Sequence, residues 1–260
     1  MKIVVVGGSG LIGTRVVAAL QASGHTAVAA SRATGVNSFT GEGLAEVLEG
    51  ATTIVDVSNS SYFDEAGALE FFETSTLNLV TYGAAAGVTH HVALSVVGTD
   101  RLAQSEGGYF RAKLKQEQLV RTSSVPFSIV HATQFFEFIR SIGRDATSGG
   151  VVRLAQAFIQ PMAADDVAAA VVQTVLGAPL NGMAEFAGPD QYRLEDLIRI
   201  EMDNRDDERD VVADPLARYF GSKLSERELL PSGDATIAPT HFSDWLLAGD
   251  SASRGDRSAV

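Results

Sequence analysis

The chain has 260 residues, 45% hydrophobic and 20% charged, the composition of a globular protein long enough to bury a core without covalent staples. It has no cysteine, which excludes disulfides, thiolate metal sites and cysteine nucleophiles, and its net charge of −12 argues against a nucleic-acid surface. No apolar stretch approaches membrane-spanning length, and no basic segment followed by an apolar one opens the chain.

The first predicted element is a strand over Lys2–Val6, followed by Gly7-Gly8-Ser9-Gly10-Leu11-Ile12-Gly13 and a helix over Leu11–Ala22. The glycines satisfy G-x-G-x-x-G at 8, 10 and 13 and G-x-x-G-x-x-G at 7, 10 and 13. In a strand–turn–helix such spacing serves a tight turn, close approach of backbone to a pyrophosphate, and close packing of helix on strand. The helix N-terminus then turns its N–H groups and positive dipole end toward the phosphates. Dinucleotide binding is the reading. Because the first strand starts at Lys2, a cleavable leader would remove part of the fold, so the cytoplasm is the expected location.

A second strand, Thr26–Ala30, ends at Ser31-Arg32, where a site selecting NAD usually carries Asp or Glu. A hydroxyl and a guanidinium suit a 2′-phosphate, so NADP is expected over NAD. Further strands are predicted at Thr53–Val57, His91–Leu94 and Phe127–Val130, alternating with helices at Gly43–Leu48, Ala66–Ala86 and Phe110–Arg121. Near-continuous apolar strands alternating with helices imply an α/β protein, a doubly wound parallel sheet of the Rossmann type, with ligands at the carboxyl ends of the strands. Glu65, Glu70 and Glu73 read as the solvated face of a helix.

Past Gln134 the pattern loosens. A helix over Phe135–Arg144 leads through Gly149-Gly150 to a strand-like Val151–Phe158, a helix over Asp165–Leu176 with Asp165 or Asp166 as N-cap, and a strand at Ala184–Phe186. Residues 199–214 are dense in charge and expected to be solvated, and Gly249–Val260 reads as a frayed tail. The expected organisation is a dinucleotide-binding domain over 1–150, a small C-terminal substrate lobe over 151–248, and the flexible tail.

If Gly107-Gly108 precede a helix, Tyr109 and Lys113 lie four residues apart on one helical face. A free phenol has a pKa of about 10, and a neighbouring ammonium would lower it toward the working range of a proton donor. Ser95, after the strand His91–Leu94, would sit on the same ligand-binding edge. His25, His90, His91, His131 and His241 show no metal-ligand spacing, so no metal is expected, and His131 reads as a core residue. No Gly-x-Ser-x-Gly elbow supports hydrolysis.

The N-terminal glycines, Ser95 and Tyr109-x-x-x-Lys113 resemble the short-chain dehydrogenase/reductase superfamily. Asn78-Leu79 through Ala86-Gly87-Val88, Leu94-Ser95-Val96-Val97-Gly98 and Gln134-Phe135-Phe136-Glu137-Phe138 are similar to its atypical NmrA-like branch, over residues 1–190, with an echo at Ala187-Gly188-Pro189. The resemblance implies Tyr109 as proton donor, Lys113 also holding the nicotinamide ribose, and Ser95 orienting a substrate carbonyl. The superfamily's Asn-Asn-Ala-Gly segment is replaced by Val57-Ser58-Asn59-Ser60, with Asn59 lining the cofactor. Gln134 and Phe135 are the candidate substrate contacts. The expected activity is hydride transfer between NADP(H) and a small carbonyl, alcohol or quinone-like molecule, by a monomer or homodimer with no nucleic-acid or membrane partner. The alternatives are a nonenzymatic NADP-binding redox sensor of the NmrA type and transient oxidation as in epimerases.

Overall fold

The computed structural model describes residues 1–60, 65–104 and 108–257, so Gly107 and the tail residues 258–260 of the reading above lie outside the described residues. The elements of the N-terminal part are β1 (Lys2–Val6), α1 (Leu11–Ala22), β2 (Thr26–Ala30), a 3₁₀ turn at Arg32–Thr34, α2 (Leu44–Leu48), β3 (Thr53–Asp56), α3 (Glu65–Ala85), β4 (His90–Val96), α4 (Thr99–Ala103), α5 (Gly108–Thr122), β5 (Phe127–Ala132) and α6 (Phe136–Asp145). They are followed by β6 (Thr147–Ser148), β7 (Val151–Leu154), β8 (Phe158–Ile159), α7 (Ala164–Leu176), β9 (Gly182–Ala187), β10 (Tyr192–Arg193), α8 (Leu194–Asp203), β11 (Val211–Ala213), β12 (Thr236–Ile237) and α9 (Phe242–Arg257).

Seven strands form one parallel sheet in the order β12-β9-β5-β4-β3-β1-β2. β2 pairs on one side of β1 and β3 on the other, so a crevice opens at the carboxyl end of β1, where ligands of such sheets bind. The strands are apolar on both faces because both are covered. Ile3 and Val5 pack with Ile12, Val16 and Leu20 of α1 and Val167 and Val171 of α7. Val4 and Val6 point the other way, onto Leu44 and Leu48 of α2 and Leu79 of α3. The doubly wound sheet is present as expected.

Boundaries moved at several places. β4 extends two residues past Leu94 to Val96, which draws Ser95 into the sheet opposite His131. The strand expected over Val151–Phe158 is two short strands, β7 and β8, and the expected N-caps Asp165 and Asp166 sit inside α7. Asp165 instead pairs with Arg15 at 2.6 Å, and Asp166 accepts the backbone N–H of Thr240. The free N–H of Ala164 is met by the Glu137 carboxylate at 3.1 and 3.2 Å, a cap supplied from α6 that no local pattern announces.

Residue 150 does not separate two layers. α7 packs on α1, and β9 and β12 pair parallel beyond β5, so the chain leaves the sheet after β5 and returns to it. The lobe between has its own core of Ile139, Val152, Leu154, Leu197, Ile198 and Phe242, joined to α5 through Phe110. Residues 199–214 are not simply solvated loop, since they hold the end of α8 and β11, stapled by Glu201, Arg205, Asp207 and Arg209. α9 runs from Phe242 to Arg257. Glu65 and Glu73 do lie on the solvent side of α3, ion-paired with Arg111 and Lys115 of α5.

Candidate active site

A cavity of about 1070 Å³ runs along the carboxyl edge of the sheet from the β1–α1 turn to the face of α5 and α6. Every residue singled out for cofactor, catalysis or substrate lines it, except Gly8 and Gly13, which pack behind the turn.

The turn is built by glycines with different duties. Gly7 has φ +79° and donates its N–H to the Ala30 carbonyl at 2.9 Å, locking the turn to the end of β2. At Gly13 a Cβ would lie 2.2 Å from the Gly7 carbonyl oxygen, so any side chain would push α1 off β1. Gly10 is different. A Cβ there would meet only the Gly7 oxygen, at 3.2 Å, and otherwise point into open cavity. Protein packing does not require glycine at position 10, whereas a group seated over the turn would. No side chain caps α1, and its first turn carries no acidic residue, leaving an electropositive cradle of backbone N–H groups.

At the end of β2, Ser31 and Thr34 form a capping box, the Ser31 N–H donating to Thr34 Oγ1 at 2.9 Å, while the buried Ser31 hydroxyl donates its own proton to no group among the described residues. Arg32 beside it is exposed, lines the cavity, and makes no ion pair with the described residues. An unspent hydroxyl and an unspent guanidinium can serve a ribose bearing a phosphate.

The other end of the cavity is organised by one face of α5. Tyr109, Lys113 and Glu117 follow at intervals of four, all turned toward the ends of β3, β4 and β5. The Tyr109 hydroxyl donates to Asn59 Oδ1 at 3.3 Å, and its ring meets Phe72 and Phe110 edge-on. Burial among these rings pushes the phenol up to about 12. This corrects the expectation of a lowered tyrosine pKa, and the cause is burial. Lys113 Nζ donates to the Leu94 carbonyl at 2.8 Å and to Gln116 Oε1, and stands 4.7 Å from the centre of the Phe72 ring. Burial brings the ammonium down to about 8, against the opposing pull of Asp56 and Glu117.

Two buried carboxylates behind these residues were not legible in the sequence pattern. Asp56, fully buried at the end of β3, accepts from Gln116 Nε2 at 2.8 Å and from the Ser58 hydroxyl at 2.6 Å, so it is tied to Lys113 through Gln116. Glu117 accepts the Ser95 hydroxyl at 2.6 Å and bonds His131 Nε2 at 2.8 Å, both on Oε1, with Arg121 at 3.3 Å on Oε2. Burial works against the Glu117 charge, but bonds from His131, Ser95 and Arg121 outweigh it and hold the carboxyl below its ordinary value. Ser95 therefore lines the cavity with its proton already committed, offering an acceptor to the site rather than a donor. The available signal was the spacing: Gln116 and Glu117 lie three and four residues beyond Lys113. His131 is buried as expected, with Glu117 as its partner.

Gln134, at the end of β5, is 8% exposed, and neither of its amide atoms finds a partner among the described residues, although the side chain lines the cavity. Phe135 stacks on Phe138 with ring centres 5.4 Å apart, forming an apolar side wall. Among the described residues no group of three or more His, Asp or Glu is placed to hold a metal ion, and no helix is long and apolar enough to cross a membrane.

No family model and no curated protein matches the chain in sequence. Solved structures do match in three dimensions. A short-chain dehydrogenase/reductase superfamily protein from Agrobacterium tumefaciens with bound NAD superimposes with a TM-score of 0.69 at 16% identity, covering 100% of this chain and 98% of that one. The chain shares its fold with that protein. The dTDP-glucose 4,6-dehydratase from Streptomyces venezuelae, solved with NAD, shares it at a TM-score of 0.74 and 19% identity, covering 99% and 98% of the two chains. The UDP-N-acetylglucosamine 4-epimerase from Bacillus cereus shares it at 0.71 and 16%, covering 98% and 97%.

Proposed function

We propose that this protein is an NADP(H)-dependent oxidoreductase that reduces a small carbonyl compound, with Tyr109 as proton donor. The observation that carries the reading is the continuity of one cavity from the Gly10 cradle to the Tyr109 hydroxyl. The cradle, the unspent Ser31 hydroxyl and the free Arg32 favour a dinucleotide with a 2′-phosphate, and the NAD-bound structures of the same fold support a nicotinamide cofactor. When bound, such a cofactor supplies the hydride.

The chain's own residues supply the rest. Burial raises the Tyr109 phenol to about 12, so it is neutral at pH 7 and holds a proton that a developing alkoxide can take. Asn59 fixes the direction of the phenol. Lys113, held by Leu94 and Gln116, keeps a positive charge below the site and offsets the phenolate left after transfer. Ser95, committed to Glu117, accepts a hydrogen bond from the product hydroxyl. Gln134 brings an unsatisfied amide to the same end.

NADPH oxidation followed over a panel of aldehydes, ketones and quinones tests this. Turnover is expected, and Tyr109→Phe is expected to lower kcat by about a hundredfold or more, with NADPH affinity unchanged. Tight cofactor binding without turnover on any of them would refute the enzyme reading. A nonenzymatic redox sensor then becomes the better account, favoured by Lys113 being turned to Leu94 and Gln116 and by Ser95 being spent on Glu117.

A further inference from the structure

The C-terminal lobe reaches the reactive end of the cavity through a two-residue turn, Phe220-Gly221. Tyr219 and Ser222 exchange both backbone hydrogen bonds, each 2.9 Å, so the turn is closed as tightly as a hairpin allows. Such a turn demands positive φ at both central residues and is normally filled by Asn-Gly. Gly221 meets the demand at +83°, but the other position, at +47°, is a phenylalanine. A bulky residue is disfavoured in that conformation, and it persists only where the surroundings fix it.

The surroundings do fix the base of the turn. Tyr219 is buried and stacks on Phe110 at 6.4 Å, and Ser222 is fully buried. The Phe220 ring itself is not part of that core. It is 54% exposed, touches Tyr219 edge-on at 4.7 Å, and leans over Tyr109 at 6.3 Å and 38° while lining the cavity. A strained backbone thus holds an exposed aromatic face beside the proposed proton donor, with Phe138 exposed on the same cavity.

We propose that Phe220 is a specificity-determining residue, the wall against which a flat, conjugated carbonyl compound stacks as its oxygen meets Tyr109. The proposal rests on the reductase reading for the reaction, but not for the binding. A planar ring lying on Phe220 gains face contact that a puckered ring of the same size does not.

Acetophenone and cyclohexyl methyl ketone, matched in heavy atoms, are suitable probes, with Phe220→Asn as the variant. Asparagine tolerates the left-handed conformation, so the turn should survive and Tm should hold or rise. In the wild type kcat/KM with NADPH should favour acetophenone by about fivefold to tenfold, and Phe220→Asn should bring the ratio close to one, through KM. A ratio that does not move, or a wild-type preference for the alicyclic ketone, would overturn the proposal. If neither ketone is reduced, the reductase reading fails, and ligand-observed NMR on the protein with and without NADP decides. Weaker acetophenone binding in Phe220→Asn then supports the wall. Equal binding in both proteins, or binding of UDP-glucose in place of either ketone, removes it.

Discussion

Gly10→Ala separates what the glycine turn does for the fold from what it does for a ligand. The added methyl would meet only the Gly7 carbonyl oxygen, at 3.2 Å, and the backbone at φ −85° and ψ −176° is open to any residue. Alanine reduces the freedom of the unfolded chain by about 0.4–1 kcal/mol, and the tight contact and poorer N-cap oppose this by a similar amount. The net change in stability should stay within about 1 kcal/mol, or about 2–4 °C in Tm. Binding should respond very differently, because the methyl occupies the space of the pyrophosphate and lifts it off the N–H groups of α1. Loss of two charge-assisted hydrogen bonds at about 1.5–3 kcal/mol each weakens NADPH by about a hundredfold to ten-thousandfold. Fluorescence titration of NADPH and thermal melts with and without it measure both quantities on one sample. In Gly13→Ala, by contrast, the methyl would lie 2.2 Å from backbone oxygen, so stability and binding should fall together. Wild-type NADPH affinity in Gly10→Ala would refute the placement of phosphate over this turn.

Four further outcomes are expected. Arg32→Ala should weaken NADPH by about tenfold while leaving NADH nearly unchanged, and equal effects on both would remove the 2′-phosphate argument. Glu117→Leu should destabilise the protein by about 3–5 kcal/mol, because His131, Ser95 and Arg121 lose a shared partner, whereas Glu117→Gln should cost less; denaturant titration measures both. His91 is fully buried with both ring nitrogens unpartnered among the described residues, and burial brings it from 6.5 down to about 4, Asp56 opposing and His90 adding. Its folded pKa lies below its unfolded one, so stability is whole above pH 6.5 and is lost as pH falls toward 4, by about 3 kcal/mol for this group. His91→Leu should flatten that limb of the stability–pH curve, and an unchanged limb would assign it to other groups. Gln116→Leu should unlink Lys113 from Asp56 and shift the pH profile of kcat, while a loss confined to stability would show a purely structural link.

The N-terminal strand–turn–helix was legible because its determinants are local: a β-branched run, glycines at fixed offsets, a helix start. The same holds for the Tyr109–Lys113 spacing, which helical geometry turns into a shared face. Much of what that face touches is set by chain distant in sequence. Lys113 is captured by Leu94, and Ser95 by Glu117, so the pairing expected between phenol and ammonium is replaced by two separate buried networks. The Asp165 and Asp166 caps failed for the same reason, since Glu137 from α6 reached the open N–H first. The strand at Ala184–Phe186 was legible, but its place in the sheet was not, because that depends on pairing with distant β5.

That returning strand has a further consequence. On its outer side β9 is covered by β12, a mere two residues, Thr236–Ile237. Deleting the C-terminal segment to trim the lobe would strip this cover and free the backbone donors and acceptors at Phe186 and Ala187, extending the open edge of β9 to its carboxyl end. An uncovered edge of this kind recruits strands from other molecules. Truncations ending before Thr236 should therefore report self-association before they report anything about substrate choice, and lobe exchanges in this protein need to carry β12 with them.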